Sequence, residues 1–181
     1  MGRKILISHA STDHLVVDPF IELLEAVGFT DELLLYTSFD STGIPIRKDS
    51  SEHIKDAFND NDLHVVFMLS ENFYKRVMCL NEMGAAWVKG CIHDFIFLPD
   101  FTLPDSNFIQ GALNPRIQGF FIDNKERVAE FIGGIMQEFG VESSEDIGKN
   151  IDGYILAVRK AHSEMNKPPV QPTASIFKRP F

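Results

Sequence analysis

The run His64-Val65-Val66-Phe67-Met68-Leu69 is apolar almost throughout. A strand of that composition has no wet face, which is the situation of a strand inside a parallel sheet covered by helices on both sides. It is taken as the centre of a sheet, and the rest of the chain is read around it.

Upstream, Lys4 to Ile7 is a short apolar run that stops at polar Ser8-His9-Ala10-Ser11, the pattern of a buried strand ending in a loop. Asp18-Pro19 offers an N-cap followed by a first-turn proline, and Phe20, Ile21, Leu24 and Val27 keep helical spacing up to Gly28. Leu33 to Ser38 reads as the second strand, 39–48 as a loop holding Gly43 and Pro45, and Ser51 to Phe58 as a helix closed by Asp60-Asn61-Asp62. After the central strand come a loop over Ser70 to Met78 and a helix over Cys79 to Lys89. Strands at Phe95 to Leu98 and Gly119 to Ile122 and a helix over Lys125 to Phe139 follow. The alternation predicts an α/β fold with a doubly wound sheet of five parallel strands.

Asp146 to Met165 adds a C-terminal amphipathic helix with Ile147, Ile151, Tyr154, Ile155 and Val158 on one face, which docks back on the domain or on a partner. The stretch from Asn166 holds four prolines and three basic residues without an acid, and reads as a flexible tail. The expected organisation is therefore a domain over 1–140, a helical extension over 141–165 and a Pro-rich basic tail over 166–181.

With 181 residues, 44% hydrophobic content and 16 Phe, the chain holds enough apolar material for one full core. A formal charge of −9 argues against nucleic acid and against an anionic membrane surface as partners. Cys79 and Cys91 form no C-x-x-C pair and are read as reduced thiols. No signal-peptide run and no stretch near the roughly 18 apolar residues of a membrane span occur, so a cytoplasmic location is expected.

Ligands of an open parallel sheet bind at the carboxyl ends of its strands. The loops there contain Ser8-His9, Phe39-Asp40-Ser41-Thr42-Gly43-Ile44-Pro45 and Ser70-Glu71-Asn72-Phe73-Tyr74. In the helix after the third strand, Cys79, Leu80, Met83, Ala86, Trp87 and Gly90 form an apolar stripe with Glu82 at its border, where a carboxylate can face the cleft mouth.

Four segments in this order resemble the TIR family, the Toll/interleukin-1 receptor-like domains, and above all its bacterial members: Ile5 to Asp13, Gly43-Ile44-Pro45, Leu69 to Tyr74, and Cys79-Leu80-Asn81-Glu82-Met83-Gly84-Ala85-Ala86-Trp87. The resemblance covers the first half of the chain by motif and extends to about Gly140 by element order. It implies a flavodoxin-like sheet, and a catalytic glutamate at the end of a Cys-x-x-Glu motif, here Cys79 to Glu82. It also implies cleavage of NAD+, as substrate rather than cofactor, into nicotinamide and a linear, cyclised or transferred ADP-ribose product. Bacterial relatives often act in anti-phage defence, including Thoeris-type systems in which a second effector protein reads the product. Self-association through TIR–TIR contacts, with sites completed by a neighbouring protomer, belongs to the same implication.

On this reading Glu82 holds the ribose, and Phe39, Ile44 and Trp87 are candidate walls for the nicotinamide or adenine ring. Ser8 and His9 are polar contacts at the end of the first strand, and Asp40 and Gly43 shape the loop over the site. A second glycine that the family pattern expects near Arg47-Lys48 is absent, and these two cations are candidate pyrophosphate contacts instead. Trp87 serves equally as a packing residue, His9 as a strand-end cap, and Cys79 as a small buried residue. The histidines show no metal-ligand spacing, and neither a serine-hydrolase elbow nor a glycine-rich phosphate loop occurs. Two other functions share the fold: a non-enzymatic TIR adaptor acting by self-association, and a nucleoside deoxyribosyltransferase-like enzyme.

Overall fold

The computed structural model describes residues 2–36, 50–103, 105–111, 119–142 and 146–166. Its strands are β1 (Gly2–Ser8), β2 (Leu34–Tyr36), β3 (Asn61–Leu69), β4 (Ile92–Phe97) and β5 (Phe120–Phe121). The helices are α1 (His14–Ala26), α2 (Ser50–Asp60), α3 (Glu71–Lys75), α4 (Val77–Lys89), α5 (Ser106–Gln110), α6 (Lys125–Phe139) and α7 (Ile147–Met165). The strands form one parallel sheet in the order β2-β1-β3-β4-β5, with β3 in the middle as its composition requires. This is a flavodoxin-like α/β fold. The strand order reverses between β1 and β3, and at such a reversal the loops at the carboxyl ends diverge and leave a crevice.

Because side chains alternate along a strand, each strand feeds two cores. Ile5 and Ile7 of β1 and Val66 and Met68 of β3 join the aliphatic core beneath α1, α6 and α7. Leu6, Val65, Phe67 and Leu69 point the other way, into an aromatic-rich core with Phe58, Phe73, Phe95 and Phe97 beneath α2 and α4. Helix α7 is part of the first core rather than an appendage: the Tyr154 hydroxyl donates to the Ile122 carbonyl at 2.7 Å and its ring meets Phe20 edge-on at 6.0 Å.

Several expected boundaries are corrected. Asp18-Pro19 does not start α1, because Val16 and Val17 are themselves core residues and draw the helix back to His14; Pro19 lies inside it. The segment Asp60-Asn61-Asp62 separates nothing, since α2 runs straight into β3. The loop over Ser70 to Met78 contains α3, whose N-cap Ser70 accepts from the Phe73 amide at 3.0 Å while the Phe73 ring is buried. Helix α4 starts at Val77, two residues before Cys79, and ends on Gly90 in the left-handed conformation that a side chain would strain. The proposed loop over 39–48 and the tail after Asn166 lie outside the described residues. Among the described residues no helix is long and apolar enough to cross a membrane.

Toward the amino ends of the strands lies a charged cluster. His64, on the α6 side of β3, is buried and approaches Asp94 of β4 at 2.7 Å and Glu138 of α6 at 3.2 Å. Arg3 of β1 reaches Glu138 at 2.5 Å and lies 5.3 Å from the Phe139 ring centre. Burial alone would depress the His64 pKa, and the two carboxylates outweigh it, so the ring titrates above its usual 6.5.

Candidate active site

The crevice at the switch point lies between the end of β1 and α4. Ser8 is the last residue of β1 and shares a strand face with Leu6, so its side chain points toward α4. Glu82 shares the inward face of α4 with Cys79, Met83 and Ala86 at spacings of three and four, and all four are buried. The two faces meet, and the Ser8 hydroxyl donates to Glu82 Oε2.

Glu82 is therefore more deeply placed than a stripe-border position suggested: it is 1% exposed. Burial pushes its pKa up to about 7, against the opposing pull of the Ser8 hydrogen bond. A cavity of about 470 Å³ reaches it, lined by His9, Ser11, Lys75, Arg76, Val77, Met78, Cys79 and Glu82. His9 is 2% exposed, and neither ring nitrogen has a hydrogen-bond partner among the described residues. Burial holds its pKa below 6.5, so at neutral pH the ring is uncharged and offers one donor and one acceptor. Cys79 donates to the His9 carbonyl at 3.4 Å, and burial, with Glu82 beside it, lifts its thiol to about 12. Such a thiol is a packing group and no nucleophile.

The walls are held by a second buried carboxylate. Asp13, in the turn after β1, accepts from Ser70 Oγ at 2.5 Å and from Asn72 Nδ2 at 2.6 Å. These bonds fasten the loop after β1 to the loop after β3 and so fix the opening between them. Arg76 donates to Ser11 Oγ across the same opening.

Of the expected site residues, Ser8, His9 and Glu82 come together. Trp87 does not join them: it is 61% exposed, with Leu80 and Val88 also on the outer side of α4. Its apolar character suggested an inward stripe, whereas the helix buries only the narrow arc from Cys79 to Ala86. Phe39, Asp40, Gly43 and Ile44, with Arg47 and Lys48, lie outside the described residues. Ser11, Asp13 and Arg76 were not singled out as site residues. Asp13 stands five residues after Ser8 in the same motif, and Lys75-Arg76 is a dibasic pair in an acidic chain just before a helix, so both signals were readable. No group of three or more His, Cys, Asp or Glu able to hold a metal ion occurs among the described residues.

No family model matches the chain, and no solved structure matches it. It is similar to the uncharacterized protein YddK of Bacillus subtilis (strain 168), with 38% identity over 123 residues. The match takes in 68% of this chain and 44% of the relative, so the chain spans less than half of the relative's length.

Proposed function

We propose that the chain is a TIR-type NAD+ glycohydrolase or cyclase that cleaves the nicotinamide–ribose bond, with Glu82 as the catalytic residue. The observation that carries this reading is a carboxyl group buried in a cavity at the sheet's switch point, held by one hydroxyl and, among the described residues, by no cation.

Nicotinamide leaves NAD+ as a neutral ring, so positive charge moves onto the ribose as the bond breaks. A carboxylate in a water-poor site stabilises that charge more strongly than one in solvent, and no metal or strong general acid is required. Glu82 acts ionised: it accepts from Ser8, contacts the ribose hydroxyls and faces the developing oxocarbenium. With its pKa at about 7, activity rises with pH through neutrality. Water, a group of the substrate itself or another acceptor then takes the ribose carbon, which gives the linear, cyclised or transferred product.

The proposed setting is the cytoplasm of a bacterium, in anti-phage defence, where the nucleotide product is read by a second effector protein. Self-association supports the site on this reading. The outward face of α4 carries Leu80, Trp87 and Val88, all exposed, and exposed apolar side chains grouped on one helix face suit a protein contact. The same face favours the adaptor reading, in which assembly itself is the function.

Incubating the concentrated protein and its Glu82→Gln variant with NAD+, and resolving the products by chromatography with mass detection, separates the two. Nicotinamide release by the parent alone supports the enzyme. Release by neither, in the assembled state, leaves the adaptor.

A further inference from the structure

We propose that the mouth of the Glu82 cavity is a phosphate-binding subsite, formed by Arg76, Lys75 and the first turn of α4 together with His9, and that it makes the site select nucleotides over nucleosides. The inference rests on the glycohydrolase reading for what sits deeper in the cavity, the ribose at Glu82.

Three independent observations point to an anion there. Helix α4 has 13 residues and opens at Arg76 with no side-chain cap, and its first-turn residues Val77, Met78 and Cys79 line the cavity. The leading amides of a helix carry unsatisfied N–H groups and the positive end of the dipole, which suits a phosphate. Second, His9 lines the same cavity nine-tenths and more buried, with neither ring nitrogen in good hydrogen-bond geometry with a partner among the described residues, the Ile7 backbone being the near polar group. A buried imidazole without a partner is costly unless a ligand supplies one. Uncharged, it donates to a phosphate oxygen or to a hydroxyl without bringing a buried charge.

Third, two cations stand at the opening, although Lys75 is ion-paired with Glu71. Lys75 and Arg76 line it, and Glu82 is the single carboxyl among its lining residues, in a chain of net charge −9. The bond from Arg76 to Ser11 holds the guanidinium beside the opening and uses one of its five donors. The remaining fork fits two phosphate oxygens at once. Lys75, exposed and paired with Glu71 at 3.1 Å, is a second cation beside it. The cavity thus grades from cationic at the mouth to carboxylic at the floor. A ribose 5′-phosphate or pyrophosphate has the matching polarity, sugar inward and phosphate outward.

The test compares NAD+ with nicotinamide riboside, which has the same scissile bond and no phosphate, using the full chain and its Arg76→Gln, Arg76→Lys and Lys89→Gln variants. Arg76→Gln is expected to lower kcat/KM for NAD+ about 10–100-fold, mostly through KM, and to lower that for the riboside far less; the loss is that of one charge-assisted contact. Arg76→Lys, which keeps the charge without the fork, falls between. Lys89→Gln, at the far end of α4, behaves as the parent. Equal losses on both substrates would mean that Arg76 only supports the helix, and would overturn the proposal.

Calorimetric titration with ADP-ribose decides the point separately from catalysis. Binding that weakens at least tenfold in Arg76→Gln and weakens with added salt supports the subsite. No binding by the parent, or equal binding by the variant, overturns it. If the parent cleaves neither substrate the glycohydrolase reading fails, while this titration still answers for the phosphate.

Discussion

Two polar clusters, each around a buried histidine or glutamate, lie toward opposite ends of β3, and they are completed differently. At the amino end, His64 sits between Asp94 and Glu138 with Arg3 behind them, so every charge meets its opposite. At the carboxyl end, Glu82 has a hydroxyl and His9 has nothing among the described residues. The first cluster pairs its charges within the chain, although Arg3 Nε itself has no hydrogen-bond partner among the described residues. The second keeps unspent hydrogen-bonding capacity beside a cavity, which is the condition of a site that expects a ligand.

The sharpest test of this contrast is Glu82→Gln. We expect NAD+ cleavage to fall by about 10³-fold or more, since the charge facing the transition state is lost, with a melting temperature equal to or above the parent's. A variant that keeps parental turnover breaks the assignment of the carboxyl-end cluster to chemistry. The mirror change, His64→Ala, leaves Asp94 without its partner while Glu138 keeps Arg3, and is expected to cost about 1–3 kcal/mol of stability in denaturant titration. The KM of whatever folded protein remains should be unchanged. If His64→Ala instead altered KM with little loss of stability, the division between the two ends would be wrong.

The pH dependence sharpens the contrast further. Glu82 releases its proton at 4.5 when unfolded and at about 7 when folded. Its favourable contribution is therefore complete below pH 4.5 and disappears as pH rises through 7, a swing of about 3 kcal/mol by linkage. Stability of the parent relative to Glu82→Gln, measured from pH 4.5 to 8, should fall across that window, while catalysis rises across it. His64 has the same sign, present below 6.5 and lost as pH passes its raised folded value, but only stability should follow it. A parental pH–rate profile flat between 6 and 8 would detach Glu82 from the rate.

Asp13→Ala, which removes the tie to Ser70 and Asn72, is expected to cost about 1–3 kcal/mol through the buried partners left behind. It should also raise KM, because the two loops it fastens form the opening. Trp87→Ala marks the lower end: at 61% exposure it should change monomer stability by less than about 0.5 kcal/mol. A loss of several kcal/mol would show that Trp87 is covered, and would direct attention to self-association through α4.

The unequal legibility of the two clusters has a physical cause. The parallel sheet was readable because the apolar composition of 64–69 leaves few alternatives, and Glu82 was singled out by the motif around it. Its partner was not readable as a partner. Ser8 and Glu82 were both singled out, but spacing within one helix gives a direction for a side chain and no information about which strand it meets. Trp87 was misplaced because an apolar residue on a helix is counted inward by periodicity, although α4 buries only one narrow face. The His64 cluster left no trace, since its four members come from β1, β3, β4 and α6, and each alone is an ordinary charged residue.

The bond between Ser8 and Glu82 joins positions 74 residues apart, with β3 pairing beside β1 as the bridge between them. During translation the first strand must therefore wait, unpaired on its inner edge, until β3 has left the ribosome, and the carboxyl group acquires its raised pKa only once α4 has followed. No truncated product ending before Glu82 can hold the pair. Whatever depends on this pair is thus withheld from chains that end before Glu82 by topology alone, without an inhibitor or a processing step.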